Sequence, residues 1–219
     1  MRISPSVRDR LSELAQKDMT GEATASVRAL KDSGFEPKVI YDIGACVGHW
    51  TKLAKSTWHD AKIVMFEAFE PAAFLYGDNE HFIGVLGARD NEIVKFYQND
   101  EHVTGNSYYK ERNDDIFPES SYVLRPTRAL DSVVESYGFE LPDLVKIDVQ
   151  GAERDVLTGA RKTLEHASAL IVEMQSVNYN KGAPLVYETK PEIEALGWNF
   201  VGKYDDNGID ADYIFRRSS

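Results

Sequence analysis

The chain has 219 residues, 42% of them hydrophobic, and carries 36 Asp and Glu against 25 Lys and Arg, a net charge of −11. That is enough chain for one full-sized core, and the acidic balance argues against sequence-independent binding to nucleic acid or an anionic membrane, which both need compensating positive charge. No run approaches the ~18 apolar residues of a spanning helix, the opening MRISPSVRDRLSEL lacks a secretory apolar stretch, and the single cysteine, Cys46, forms no intrachain disulfide, so a reducing cytoplasm is the expected compartment.

In chain order, residues 5–34 read as two helices. Val7, Leu11 and Leu14 form a stripe on the first, Val27 and Leu30 lie on the second, and Thr20 and Gly21 stand between them. They are expected to form an N-terminal helical cap over residues 1–37, packed on a main domain at 38–219. Residues 38–43 are a predicted strand and 50–55 begin a helix. A second strand covers 61–67, a second helix starts over 71–76, and 82–86 is a short apolar run bounded by glycines.

Residues 92–98 then alternate polar and apolar, as an antiparallel or edge strand does. A long polar loop is expected over 99–121, a short strand at 122–124 and a helix at 128–137. The segment DLVKIDVQGAERDVLTGARKTL at 143–164 reads as buried strand, small-residue turn and amphipathic helix in succession. A strand at 170–174, a short helix at 191–196 and a closing antiparallel pair at 199–204 and 211–217 around the turn DDNG complete the chain. Alternating β and α units ending in a hairpin predict an α/β fold with a doubly wound, mostly parallel sheet and a C-terminal antiparallel hairpin.

Four constellations carry chemistry. In Asp42-Ile43-Gly44-Ala45-Cys46-Val47-Gly48, the two glycines allow a tight turn and close ligand approach, and the next helix start offers free N–H groups. The spacing is GxxxG, so the pyrophosphate-approach glycine of a GxGxxG site is missing. That disfavours NAD and favours S-adenosylmethionine (SAM), whose ammonium end Asp42 is placed to meet, directly or through water. Glu67 closes the second strand about 20 residues past the glycine turn, where a carboxylate accepts from ribose hydroxyls. It is preferred over Glu70, which precedes Pro71 and suits a first helical turn.

Lys146 and Asp148 interrupt an apolar strand, two residues apart and so on one face. A carboxylate there is costly unless it is paired or faces a ligand at the strand end. Asp148 is a candidate to hold the substrate hydroxyl, the cofactor ammonium or a metal; a structural Lys–Asp pair is the alternative. Glu153 reads as a first-turn residue favoured by the helix dipole. Glu173 ends another apolar strand and is either a pocket acid or base, or a sheet-end acid facing water. The five histidines lack zinc spacing and one cysteine builds no thiolate site, so no zinc or thiolate centre is expected, while a metal requirement at Asp148 and Glu173 is not readable from the sequence. His49 is expected to pack beside the turn rather than to catalyse.

DIGACVGHWT, VMFEAFEPAAF, RALDSVV and above all VKIDVQGAERDVLTGA resemble the FkbM family of SAM-dependent methyltransferases over residues 39–179. The resemblance implies a class I, Rossmann-like methyltransferase sheet and O-methylation of a hydroxyl on a sugar or other small metabolite. It places the cofactor on the turn from Asp42 through Gly44, Ala45 and Cys46 to Gly48, and at the end of the second strand, Glu67 and Ala68. Asp148, Glu173 and Lys146 are then the catalytic candidates, with Asp148 also beside the cofactor. The family usually has asparagine at the place of Cys46, glutamate at Gln150 and a polar residue, often histidine, at Gln175. Those departures motivate a second reading, a methyltransferase-fold binding module without catalysis. The acceptor is expected to be a small molecule or glycan, not nucleic acid, and oligomeric state is not readable from the sequence.

Overall fold

A computed structural model describes residues 3–17 and 25–217. Its centre is a seven-stranded sheet built from β1 (Val39–Ile43), β2 (Lys62–Glu67), β3 (Glu80–Ile83), β7 (Leu144–Ile147), β8 (Ala169–Gln175), β9 (Trp198–Tyr204) and β10 (Asp210–Arg217), in the order β3-β2-β1-β7-β8-β10-β9. Neighbours are parallel as far as β8, whereas β10 runs antiparallel to both β8 and β9. The chain leaves β1 toward β2 and β3 on one side and later returns to β7 and β8 on the other. The crevice at the carboxyl ends of β1 and β7 is therefore the topological switch point where open α/β sheets bind ligands.

Period-two alternation divides the core between the two faces of the sheet. Tyr41, Ile43, Val64, Phe66, Val145, Ile147, Leu170 and Val172 pack beneath α4 (Leu130–Tyr137), α5 (Glu153–Thr158), α6 (Arg161–His166) and α7 (Val186–Ala195). On the other face, Ile40, Ile63, Met65, Leu144 and Ile171 meet α1 (Pro5–Gln16), α2 (Ala25–Asp32) and α3 (His49–Thr57). Leu11 and Leu30 of the two N-terminal helices are fully part of this second core. Asp205, in the β9–β10 turn, accepts the first N–H groups of α2, from Ala25 at 3.2 Å and Ser26 at 3.0 Å. Thr20 and Gly21 lie outside the described residues.

Several local expectations need correction. Residues 70–75 form a short 3₁₀ helix rather than a full helix, closed off before Gly77 at φ +56. The run at 82–86 splits at Gly84: β3 joins the main sheet, while β4 (Val85–Leu86) pairs parallel with β6 (Tyr122–Arg128), which also pairs antiparallel with β5 (Ile93–Tyr97). The helix after Gly151 is two helices broken at Gly159, where a Cβ would stand 2.2 Å from the Gly87 carbonyl oxygen. The helix expected at 191–196 begins earlier, at Val186, and carries Pro191 inside it. The polar loop at 99–121 holds one 3₁₀ turn, Val103–Gly105, and is tied down by bridges from Ser107 to Tyr97 and from Glu111 to Asn180.

Candidate active site

A cavity of about 660 Å³ opens at the switch point, lined by the ends of β1, β2, β7 and β8, the 3₁₀ segment near Val103 and the β9–β10 turn. Of the residues singled out from sequence, Gly44, Cys46, Glu67, Ala68, Asp148 and Glu173 line it; Asp42, Ala45, Gly48 and Lys146 do not.

The first wall is the turn after β1. Phe66 O accepts from both Gly44 N (2.9 Å) and Ala45 N (3.1 Å), and Gly48 N donates to Ala45 O at 2.7 Å. Gly44 sits at φ +84 with its hypothetical Cβ 1.7 Å from Asp148 O, so only glycine lets the two strand ends meet here. Cys46 is also left-handed, at φ +48. Its N–H donates to Glu67 Oε2 at 2.7 Å, and its carbonyl accepts from the Tyr76 hydroxyl at 2.7 Å. Glu67 Oε1 accepts from Phe69 N at 2.7 Å. Burial raises the Glu67 carboxyl, and its backbone N–H donors act against that rise.

Asp42 lies under this turn, not in it. Its side chain shares the Ile40 face of β1, fully buried, and accepts from Thr51 Oγ1 of α3 at 2.5 Å. Its Oδ1 takes no hydrogen bond but stands 3.8 Å from Lys146 Nζ. Lys146, opposite Asp42 in the ladder, is likewise buried beside the Trp50 ring. Burial works against its charge, yet the Asp148 and Asp42 carboxylates together raise its pKa.

The second wall is acidic. Lys146 Nζ reaches Asp148 Oδ2 at 2.9 Å, and the Gln150 amide Nε2 donates both to Asp148 Oδ1 (2.8 Å) and to Glu173 Oε2 (2.9 Å). Burial would lift Asp148, but Lys146 and the hydrogen bonds from its neighbours hold it below the usual carboxylate range. Glu173 moves the other way: burial and the charges of Asp148 and Asp210 raise it well above that range. The two environments thus push the neighbouring carboxyls in opposite directions.

Three features had no clear sequence signal. Gln150 adopts φ +56 and joins the two acids. Asp210, the first residue of β10, completes the acidic end from the far hairpin. Glu153, read as a dipole residue, instead folds back so that Oε1 accepts from Val149 N at 2.9 Å and Gly151 N at 3.1 Å. Gln175 is structural: its amide exchanges hydrogen bonds with Asn180, whose own amide donates to Tyr109 O at 2.7 Å and so ties the 99–121 loop to β8. His49 holds α1 through the Leu14 carbonyl at 2.9 Å.

Among the described residues no helix is long and apolar enough to cross a membrane. No curated protein matches the chain. Among solved structures, a methyltransferase FkbM from Methylobacillus flagellatus KT superposes with a TM-score of 0.55 at 15% identity, covering 81% of this chain and 43% of that one. The fibrillarin pre-rRNA processing protein of Methanococcus jannaschii gives 0.51 at 10% identity, over 83% of this chain and 66% of that one. Such identities show the fold alone, and the chain spans less than half the length of the FkbM structure. The sequence pattern of the methyltransferase FkbM domain, in contrast, matches residues 42–200. The chain belongs to this FkbM methyltransferase family, in the Rossmann-like class of SAM-dependent methyltransferases.

Proposed function

We propose that the cavity binds SAM against the turn after β1 and transfers its methyl group to a hydroxyl of a sugar or other small metabolite. The division into a helical cap at 1–37 and a catalytic domain at 38–219 belongs to this reading. The observation that carries it is the presence of Glu67 and Asp148 together in the lining of one cavity at the sheet's switch point. The donor set fits the cofactor: Glu67 offers carboxylate oxygens to ribose hydroxyls, and Gly44, Cys46 and Ala68 lie beside it. SAM, when bound, supplies a methyl group on a sulfonium sulfur.

The chain's own residues then position and deprotonate the acceptor. Asp148, kept ionised by Lys146 and by hydrogen bonds, takes the proton that the hydroxyl gives up, a contribution of ~100- to 10,000-fold. Glu173, whose carboxyl burial and the charges of Asp148 and Asp210 raise, is suited to donate a hydrogen bond rather than to act as the base. Lys146 acts from beneath as the buried counter-charge that holds Asp148 in place, with Asp42 on its other side. The lining carries Glu67, Glu111, Asp148, Glu173 and Asp210 with no lysine or arginine among the described residues. A phosphate-rich acceptor such as nucleic acid would meet repulsion there, whereas a neutral hydroxyl compound would not.

Thermal unfolding with SAM, S-adenosylhomocysteine and NADH in parallel tests the cofactor. A ligand at ~100 times its dissociation constant stabilises by ~2.7 kcal/mol, a melting shift of roughly 5–10 °C for a chain of this size. A shift with the first two alone supports the reading. A shift with NADH alone overturns it, and no shift at all favours a binding module without catalysis.

A further inference from the structure

Glu153 opens α5, yet its carboxylate points back toward the turn that precedes the helix and is only 5% exposed. One oxygen holds the N–H groups of Val149 and Gly151. Gln150, between them, is left-handed, a conformation that costs an L residue ~1–2 kcal/mol and persists only where its surroundings impose it. The surroundings do so from three sides. The Val149 carbonyl accepts from Ser107 Oγ at 3.0 Å. Gly151, at φ +101, leaves no room for a Cβ, which would stand 2.6 Å from Ala183 Cβ. Glu153 closes the third side. The turn so held delivers the Gln150 amide between Asp148 and Glu173.

We propose that Glu153 is a positioning residue for the acceptor end of the site: by locking the turn at 149–151, it makes the Gln150 amide yoke Asp148 to Glu173. The catalytic use of the yoke rests on the methyl-transfer reading above; the yoke itself does not. Glu153 lies outside the cavity lining and acts only through Gln150.

The test uses the full chain, labelled with ¹⁵N and without ligand. The side-chain NH₂ pair of Gln150 is identified by its loss in Gln150→Ala. In the wild type this pair should stand apart from solvent-exposed glutamine amides and exchange with solvent at least tenfold more slowly. Glu153→Gln keeps an oxygen acceptor and should leave the pair in place. Glu153→Ala removes the acceptor, and Glu153→Asp withdraws it by one methylene; both should return the pair to free-amide positions and fast exchange. A pair unmoved in either folded variant would reduce Glu153 to a helix cap and overturn the proposal. An unprotected pair in the wild type, or a displaced one in Glu153→Gln, overturns it even if Glu153→Ala and Glu153→Asp fail to fold. With an acceptor in hand, Glu153→Asp should lower kcat about tenfold while the KM for SAM stays within threefold. Absence of any methyl transfer would sink the catalytic reading and leave the amide result standing.

Discussion

The turn after β1 and the turn after β7 lie side by side, and each places a non-glycine residue in the left-handed region, Cys46 at φ +48 and Gln150 at φ +56. Each also satisfies turn N–H groups with a glutamate, but the two glutamates have different origins. Glu67 comes from the neighbouring strand β2 and lines the cavity, with one oxygen on Cys46 N and the other on Phe69 N. Glu153 comes from the helix that follows its own turn and is sealed away from the cavity. A carboxylate at the cavity wall can exchange one hydrogen bond for a ligand hydroxyl; a buried one holds a fixed geometry. On the proposed reading, Glu67 can therefore exchange a hydrogen bond with SAM, whereas Glu153 is committed to its own turn.

Where the two turns touch, the largest effect is expected. Gly44→Ala adds left-handed strain and drives a Cβ into the Asp148 carbonyl, 1.7 Å away. The expected loss is about 4 kcal/mol or more, read as a collapsed urea midpoint or failure to fold by circular dichroism. A loss under 1 kcal/mol would mean that the two strand ends are not in contact. Lys146→Met comes next. It leaves Asp42 and Asp148 without their shared cation in a buried setting, at a cost of about 3–5 kcal/mol. Adding Asp42→Asn to Lys146→Met should recover part of that loss in urea titration; a purely additive pair would separate Asp42 from the network.

The pH dependence distinguishes the sealed glutamate. Burial pushes Glu153 up to about 7, with its backbone donors acting the other way. A raised acid holds its proton in the folded state after the unfolded chain has released it. Its stabilisation is complete below the unfolded value of ~4.3 and is lost as pH rises through about 7. Glu153→Gln removes this term. The stability of the variant relative to wild type should therefore rise between pH 4 and pH 8, by about 3 kcal/mol. Asp212 (burial pushes it to about 6) and Glu173 have raised values of the same sign, so the wild-type curve alone proves nothing and the difference between the two proteins is what is read. A flat difference would show that folding leaves the Glu153 carboxyl unshifted. At the cofactor end, Glu67→Ala should leave the fold nearly intact and weaken SAM by about 2 kcal/mol, roughly thirtyfold by calorimetry. Unchanged affinity would remove Glu67 from the ribose role.

The legibility of the two turns in sequence differs as much as their chemistry. The strands β1, β2, β7 and β8 were readable because each is an apolar run stopped by a turn, and strand ends are where ligands sit. Glu67, Asp148 and Glu173 were accordingly found at cavity-lining positions. The parity of Lys146 and Asp148 was also readable, but the direction each would face was not. Asp148 lies past the last paired residue of β7 and turns toward the cavity, whereas Lys146 and Asp42 stay on the α3 face. Asp210 and the Gln150 amide meet the acids through contacts between distant strands or through a left-handed backbone, and neither leaves a periodic trace. Glu153 left only an ambiguous mark, a glutamate two residues after glycine at a helix start, which dipole chemistry and turn capping share. Gly84 and Gly159 were visible as glycines; that one divides two sheets and the other two helices depends on partners far along the chain.

The smallest expected effect sharpens the comparison furthest. Cys46 uses only its backbone here, donating to Glu67 and accepting from Tyr76. Its thiol, pushed up to about 12 by burial and the neighbouring Glu67 charge, is neutral at physiological pH. The side chain therefore contributes packing alone while the residue bears left-handed strain that asparagine tolerates far better. Cys46→Asn should stabilise the protein by about 1 kcal/mol, a rise of roughly 2–4 °C in Tm. Cys46→Ala keeps a Cβ and the same strain, so it should give no such gain. If both variants stabilise equally, the benefit comes from removing the thiol and not from the backbone. If Asn destabilises, the turn is held by packing at Cys46 rather than by Glu67, and the two turns differ more than their shared conformation implies.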